Sequence, residues 1–232
     1  MRKLYQTEWH NIKFNDITKI SESSLPDDKF YNSFYNEFFN RYDDFSDLNP
    51  DWIRLKEGVS AHCAKQYFKN KQDSILSVGC GIGIIEKKLL EIGFSQIYVT
   101  ENTDEPLKWI KNLIPKSRIF VSSFLEKVPH RNYNNILLSS VDYFLTDIQL
   151  YRLLKTALKF LDRSGQLLLI SWSFDNDSKS EHPADKNGQF WGWIRSIDEY
   201  RYALKNSGFR YVKHEIIDTK TNWKTLILCA QL

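Results

Sequence analysis

The chain has 232 residues, 42% hydrophobic and 26% charged, with a formal net charge of +3. These values suit one α/β domain with an added cap, and they exclude a disordered or low-complexity chain. Lys and Arg are scattered rather than clustered, so no nucleic-acid footprint is present, and no apolar run reaches the ~18 residues of a membrane span. Three cysteines (Cys63, Cys80, Cys229) are an odd number without metal-ligand spacing. Reduced thiols, a cytoplasmic location and no metal site are therefore expected.

Residues 1–73 read as an N-terminal helical cap. Phe30, Tyr31, Phe34, Tyr35, Phe38, Phe39 and Tyr42 recur at helical spacing, which puts all seven aromatics on one wide face. Such a stripe packs a helix onto a larger domain, or part of it roofs a substrate pocket with Tyr31 and Tyr35. The flanking residues Asp27, Asp28, Glu37, Asp43, Asp44, Asp47 and Asp51 are acidic, and only Lys29 and Arg41 oppose them. Most of that charge is a solvated face, although it would attract a cationic acceptor.

From residue 74 the pattern becomes regular. An apolar strand at 75–78 runs into Gly79-x-Gly81-x-Gly83 and then into a helix at 84–92, and Glu101 ends the next strand at 96–100. Glycines at 79 and 81 allow a tight turn and close approach to a ligand, Gly83 admits close helix packing, and the acid can bind ribose hydroxyls. A dinucleotide fingerprint wants its third glycine at residue 84, where the chain has Ile84. Further elements are a helix at 105–113, short strands at 118–121 and 135–139, an amphipathic helix through Leu150, Leu153, Leu154, Ala157, Leu158 and Leu161, and a strand at 166–171. Near-continuous apolar strands imply helices on both sheet faces. Residues 172–197 read as a long aromatic cap loop; a helix at 198–206 follows, and two strands at 211–217 and 225–231 can pair only as an antiparallel hairpin.

The expected fold is therefore α/β: a doubly wound, mostly parallel seven-stranded sheet with a terminal antiparallel hairpin and the N-terminal cap. The glycine spacing together with that hairpin resembles the class I (Rossmann-like) S-adenosylmethionine-dependent methyltransferases over residues 74–232. The resemblance implies S-adenosylmethionine as the cofactor. It implies that the turn Gly79, Cys80, Gly81 and Gly83 wraps the methionine portion, and that Glu101 and Asn102 hold the ribose. Ser123 and Phe124 would flank the adenine, and the segment through Ser139, Val141 and Tyr143 would border the donor. Ser77 stands where the family commonly has an acid, and Ser122 or Ser123 where aspartate is frequent, so two charge-assisted hydrogen bonds are lost and modest donor affinity follows.

Methyl transfer asks the protein to align a nucleophile and, for a hydroxyl or protonated amine, to remove a proton. Asp142, after the fourth strand, is the first candidate base or else a loop acid; His182 is a second, or an exposed loop histidine. Tyr143, Trp191, Trp193 and Arg195 are candidate substrate contacts, or packing. The expectation is a methyltransferase acting on a small molecule, with O-methylation of a sugar-like or hydroxylated acceptor ahead of N-methylation of a small amine. A non-catalytic donor-binding module is the alternative from another class, and a nicotinamide dehydrogenase stands third. No nucleic-acid or membrane partner is expected, since Ser140-Val-Asp-Tyr-Phe144 lacks the aromatic-proline motif of amino-methylating DNA enzymes.

Overall fold

The apolar runs after residue 74 become the strands of a seven-stranded sheet in a computed structural model that describes residues 2–17, 25–129, 132–173, 188–218 and 224–232. The strands are β4 (Ile75–Val78), β5 (Ile97–Glu101), β6 (Ile119–Val121), β7 (Tyr133–Ser139), β8 (Leu161–Ser173), β10 (Tyr211–Asp218) and β11 (Lys224–Gln231). Their order is β10-β11-β8-β7-β4-β5-β6, with β4, β5, β6, β7 and β8 parallel to one another. β11 runs antiparallel between β8 and β10, pairing Leu228 with Leu169 on one side and with His214 on the other. The terminal hairpin is thus appended to β8 at one end of the parallel sheet, with β10 as the edge strand.

Alternate residues of each strand feed two apolar layers. Leu76, Ile136, Leu138, Leu167 and Leu169 pack under α5 (Asp147–Phe160) and α6 (Ile197–Ser207), while Ile75, Val99, Leu137 and Leu168 pack under α3 (Pro50–Gln66) and α4 (Ile84–Ile92). Local signals agree with these helices. Thr146 and Gln149 form a capping box on α5, Ser196 and Glu199 another on α6, and Gly208 closes α6 in the left-handed conformation. The helix expected at 105–113 is instead two short 3-10 turns, Glu105–Lys108 and Ile110–Asn112. Pro106 lies in the first turn and Pro115 follows, which leaves little room for an i to i+4 ladder.

The N-terminal cap is helical only in part. Helix α2 (Asp28–Arg41), capped by the Asp27 side chain on the Phe30 amide at 2.8 Å, carries the aromatic stripe, and a four-residue helix α1 (Phe14–Ile17) precedes it. Before these, β1 (Arg2–Gln6) pairs antiparallel with β9 (Gln189–Ile194), and β2 (Glu8–Trp9) with β3 (Ile12–Lys13) forms a tiny hairpin. His10 and Asn11 turn that hairpin with φ of 48° and 57°, as a two-residue type I′ loop requires. The expected cap loop therefore needs correction: residues 189–194 are a strand, and residues 174–187 lie outside the described part.

A third apolar cluster joins cap to sheet. Phe14 stacks on Trp191 at 4.8 Å, Trp9 on Phe34 at 4.8 Å, and Phe30, Phe34 and Phe38 are buried among them. The stripe does both jobs: Phe30, Phe34 and Phe39 pack the cap, while Tyr31, Tyr35, Phe38 and Tyr42 also line a cavity. Among the described residues no helix is long and apolar enough to cross a membrane.

Candidate functional site

Strand order reverses between β4 and β7, and ligands of open α/β sheets bind at the carboxyl ends of strands flanking such a point. A cavity of about 680 Å³ opens there, within the range of small-molecule sites. Its floor is the glycine turn. The amides of Gly79 and Cys80 both donate to the Thr100 carbonyl, at 2.9 and 3.1 Å, which ties the turn to β5.

The three glycines serve different ends, although all have positive φ. A Cβ at Gly79 would lie 2.3 Å from Val141 Cγ2, and one at Gly83 would lie 2.4 Å from Ile110 Cδ1, so both are glycine for packing. A Cβ at Gly81 would meet nothing nearer than the Tyr35 hydroxyl at 4.0 Å. All three line the cavity, but only at Gly81 is the Cβ position open, a surface that a ligand can approach closely.

Glu101 stands beside it. One carboxylate oxygen accepts from the Gly81 amide at 2.5 Å and the other from the Asn102 amide at 3.1 Å. Burial pushes the Glu101 carboxyl up, and those two amides oppose the rise. Each carboxylate oxygen keeps a free lone pair, so a diol such as ribose can donate to both.

Aromatic residues of the cap form the wall. Tyr31, Tyr35, Tyr143, Phe144, Trp9 and Trp172 face the cavity, with Tyr143 stacked on Trp172 at 5.7 Å and Tyr31 edge-on to Phe144 at 5.7 Å. Burial raises the Tyr31 and Tyr35 phenols well above 10, so both stay protonated and can act as neutral donors. The Tyr31 hydroxyl is buried without a partner. His10 projects from the hairpin turn against Trp52, with ring centres 4.4 Å apart. Burial, then the nearby Lys56 charge, lowers its pKa to about 4.

Of the residues expected from sequence, Gly79, Cys80, Gly81, Gly83, Glu101, Asn102, Ser139, Val141, Tyr31, Tyr35 and Tyr143 all line this cavity. Ser122 lines it in place of Ser123, and the Phe124 side chain and His182 lie outside the described residues. Four expectations need correction. Asp142 is turned beneath the wall, where Oδ2 accepts from Ser171 Oγ at 2.6 Å and from the Tyr200 hydroxyl. Burial raises its pKa, and those hydroxyls, with Arg195, hold the rise back. Arg195 is buried as well: its guanidinium donates to the Asp142 carbonyl at 2.8 Å, the Leu145 carbonyl at 2.5 Å and Asp147 at 2.9 Å. It fastens the 142–145 turn that carries Tyr143 and Phe144.

Trp191 is packed behind the wall on Phe14, and Trp193 lies edge-on to Phe190 at 4.9 Å. The glycine between them is no hinge, because a Cβ at Gly192 would sit 2.4 Å from the Tyr143 carbonyl oxygen. Sequence reasoning missed Lys56, Glu86 and His10, all on the cavity surface. Only Glu86 carried a signal: it falls on the apolar stripe of α4, three residues before Leu89 and four before Leu90.

No protein-family profile and no curated protein matches the sequence. Solved structures do match. Magnesium protoporphyrin IX methyltransferase from Synechocystis PCC 6803, with bound S-adenosylhomocysteine, superposes with a TM-score of 0.62 at 12% identity, covering 87% of this chain and 97% of that one. Human N-acetylserotonin methyltransferase, in complex with S-adenosylmethionine, gives 0.60 at 16% identity, covering 89% and 60%. The [4+2]-cyclase SpnF gives 0.61 at 12% identity, covering 75% and 80%. The chain spans only 58–64% of the length of four of the matched proteins. The fold is thus that of class I S-adenosylmethionine-dependent methyltransferases. Since the same fold also carries a cyclase, activity must be argued from the site.

Proposed function

We propose that the protein is an S-adenosylmethionine-dependent methyltransferase acting on a small hydroxylated molecule. The observation that carries this reading is the pairing of an open Gly81 backbone with the adjacent, amide-held Glu101 on the cavity floor. A cradle that a Cβ would fill, next to an acid that can bind a diol, fits the methionine and ribose parts of the donor. When bound, the donor supplies a methyl group on a positively charged sulfur, already activated for transfer.

The chain's own residues then orient the acceptor and keep water out. The flat walls of Trp9, Tyr31, Phe144 and Trp172 suit a planar acceptor more than a sugar, since Trp191 and Trp193, the residues that suggested a sugar, are packed away from the cavity. His10, neutral at pH 7, can accept a hydrogen bond from an acceptor hydroxyl, and the Tyr31 hydroxyl can donate one. This supports O-methylation ahead of N-methylation of a small amine.

Release of S-adenosylhomocysteine from S-adenosylmethionine, measured over hydroxylated aromatics, sugars and small amines, tests the proposal. Turnover with a hydroxylated aromatic is expected. Displacement of Asp142 from the cavity favours one rival, a donor-binding module without transfer, and tight S-adenosylhomocysteine binding with no release on any acceptor would support it.

A further inference from the structure

Two charged side chains on the cavity surface, Lys56 and Glu86, lie apart from the pair of Gly81 and Glu101. Lys56, on α3, sends its ammonium to Ser140 Oγ at 3.1 Å. It makes no ion pair with a described residue, which leaves two of its three N–H donors open. Glu86, in the first turn of α4, is 1% exposed. Its Oε1 accepts from Ser77 Oγ at 2.5 Å, and its Oε2 is buried with no partner. A buried carboxylate oxygen left unsatisfied costs about 1–3 kcal/mol or more, and native proteins seldom tolerate that without a ligand or a water to relieve it.

Topology sets where the two lie relative to Glu101. β4 sits between β5 and β7, so Glu101 at the end of β5 and Ser140 just past β7 flank the glycine turn from opposite sides. Adjacent strands are about 4.8 Å apart, which makes the span roughly 10 Å. Ser140 itself has φ of 60°, a costly conformation for a non-glycine residue and one that accompanies function at ligand sites. A ligand with its ribose on Glu101 and its thioether over Gly81 would have Lys56 and Glu86 in the same cavity lining to receive its remaining atoms. In S-adenosylmethionine those atoms are an α-ammonium and an α-carboxylate.

We propose that Lys56 and Glu86 seat the amino-acid end of the donor, Lys56 pairing with its α-carboxylate while Glu86 Oε2 accepts from its α-ammonium. This rests on the donor reading above. It also accounts for Ser77: the acid missing from β4 is supplied from α4 and placed on Ser77 by a hydrogen bond. The expected penalty in donor affinity is thereby offset.

Calorimetry with two ligands separates this seat from the rest of the site. S-adenosylhomocysteine has the amino-acid end, and 5′-methylthioadenosine keeps the nucleoside and thioether without it. The unsubstituted protein is expected to bind S-adenosylhomocysteine at least tenfold more tightly. Lys56→Met and Glu86→Gln should each remove most of that advantage while changing 5′-methylthioadenosine affinity less than twofold, which also shows that the variants are folded. Lys56→Arg should retain part of it. Equal affinity of the unsubstituted protein for both ligands, or parallel losses for both in the variants, would overturn the seat but leave the donor site standing. Binding of neither ligand by the unsubstituted protein would overturn both.

Discussion

The Gly81 amide donates to Glu101 Oε1 at 2.5 Å, which joins the open point of the glycine turn to the acid at the end of β5 in one rigid unit. The bond fixes the carboxylate before any ligand arrives, so little ordering is left for binding itself. Glu101→Ala should therefore weaken S-adenosylhomocysteine by about 1.5–3 kcal/mol for each charge-assisted bond lost. Titration calorimetry measures this, and unchanged affinity would place the ribose elsewhere.

Alanine at the three turn glycines should divide stability from binding. Gly79→Ala and Gly83→Ala drive a Cβ into Val141 and Ile110, so thermal denaturation should show a large fall in midpoint. Gly81→Ala meets no protein atom and should cost only the roughly 1 kcal/mol of a left-handed alanine. Its loss should show in S-adenosylhomocysteine affinity instead. A severe drop in midpoint for Gly81→Ala with binding intact would refute the division.

Asp142, Arg195 and Trp191 should behave as structural residues. Asp142→Ala leaves the buried Tyr200 and Ser171 hydroxyls without their acceptor and should cost roughly 3 kcal/mol. Trp191→Ala empties the space against Phe14 and should cost about 3–5 kcal/mol. Urea unfolding supplies both numbers. Arg195→Lys cannot reach Asp147 and both turn carbonyls at once, so it should loosen Tyr143 and Phe144 and raise KM for the acceptor more than it weakens the donor.

Donor affinity should depend on pH through the proposed seat. Burial raises the Glu86 carboxyl to about 7, against Ser77, its own backbone amide and Lys56, which lower it, while Glu101 adds to the rise. Burial lowers Lys56 to about 8, against Glu86 and Asp142; nearby His10 is neutral. Glu86 is ionised, and able to accept from the α-ammonium, only above about 7. S-adenosylhomocysteine affinity should fall as pH drops from about 7.5 to 5.5, a range in which the ligand's own carboxyl and amino groups do not titrate. Glu86→Gln should flatten that limb, and 5′-methylthioadenosine should show none.

The same shift has a consequence for folding. Because the folded Glu86 pKa lies above the unfolded value of 4.5, its contribution to stability is fully present below 4.5 and is lost as pH rises through about 7. Ionised Glu86 therefore burdens the ligand-free protein by roughly 3 kcal/mol above that pH. Glu86→Gln should raise the melting midpoint at pH 8 and change it little at pH 4.5.

The sheet was legible from residue 74 because strand apolarity, the glycine turn, the helical spacing from Leu150 to Leu161 and the Gly208 stop agree with one another. β1 and β9 were not. Arg2-Lys-Leu-Tyr-Gln6 has a strand's length without its apolar run, and its partner lies some 190 residues away, a pairing that no local pattern encodes. The floor of the site was readable for a similar reason: Gly79, Gly81 and Glu101 sit at fixed offsets within one βαβ unit. Lys56 and His10 were not readable, since they reach the cavity from the cap by tertiary packing alone. Asp142 misled because position after a strand tells where a backbone is, while the direction of its side chain is decided by Ser171 and Tyr200.

A calorimetric titration with S-adenosylhomocysteine, run against NAD and repeated on Gly81→Val, decides whether the cavity floor binds S-adenosylmethionine. Saturable one-to-one binding of S-adenosylhomocysteine, none of NAD, and loss of the signal in a folded Gly81→Val protein is the predicted result. Tight NAD binding with no response to S-adenosylhomocysteine would contradict it.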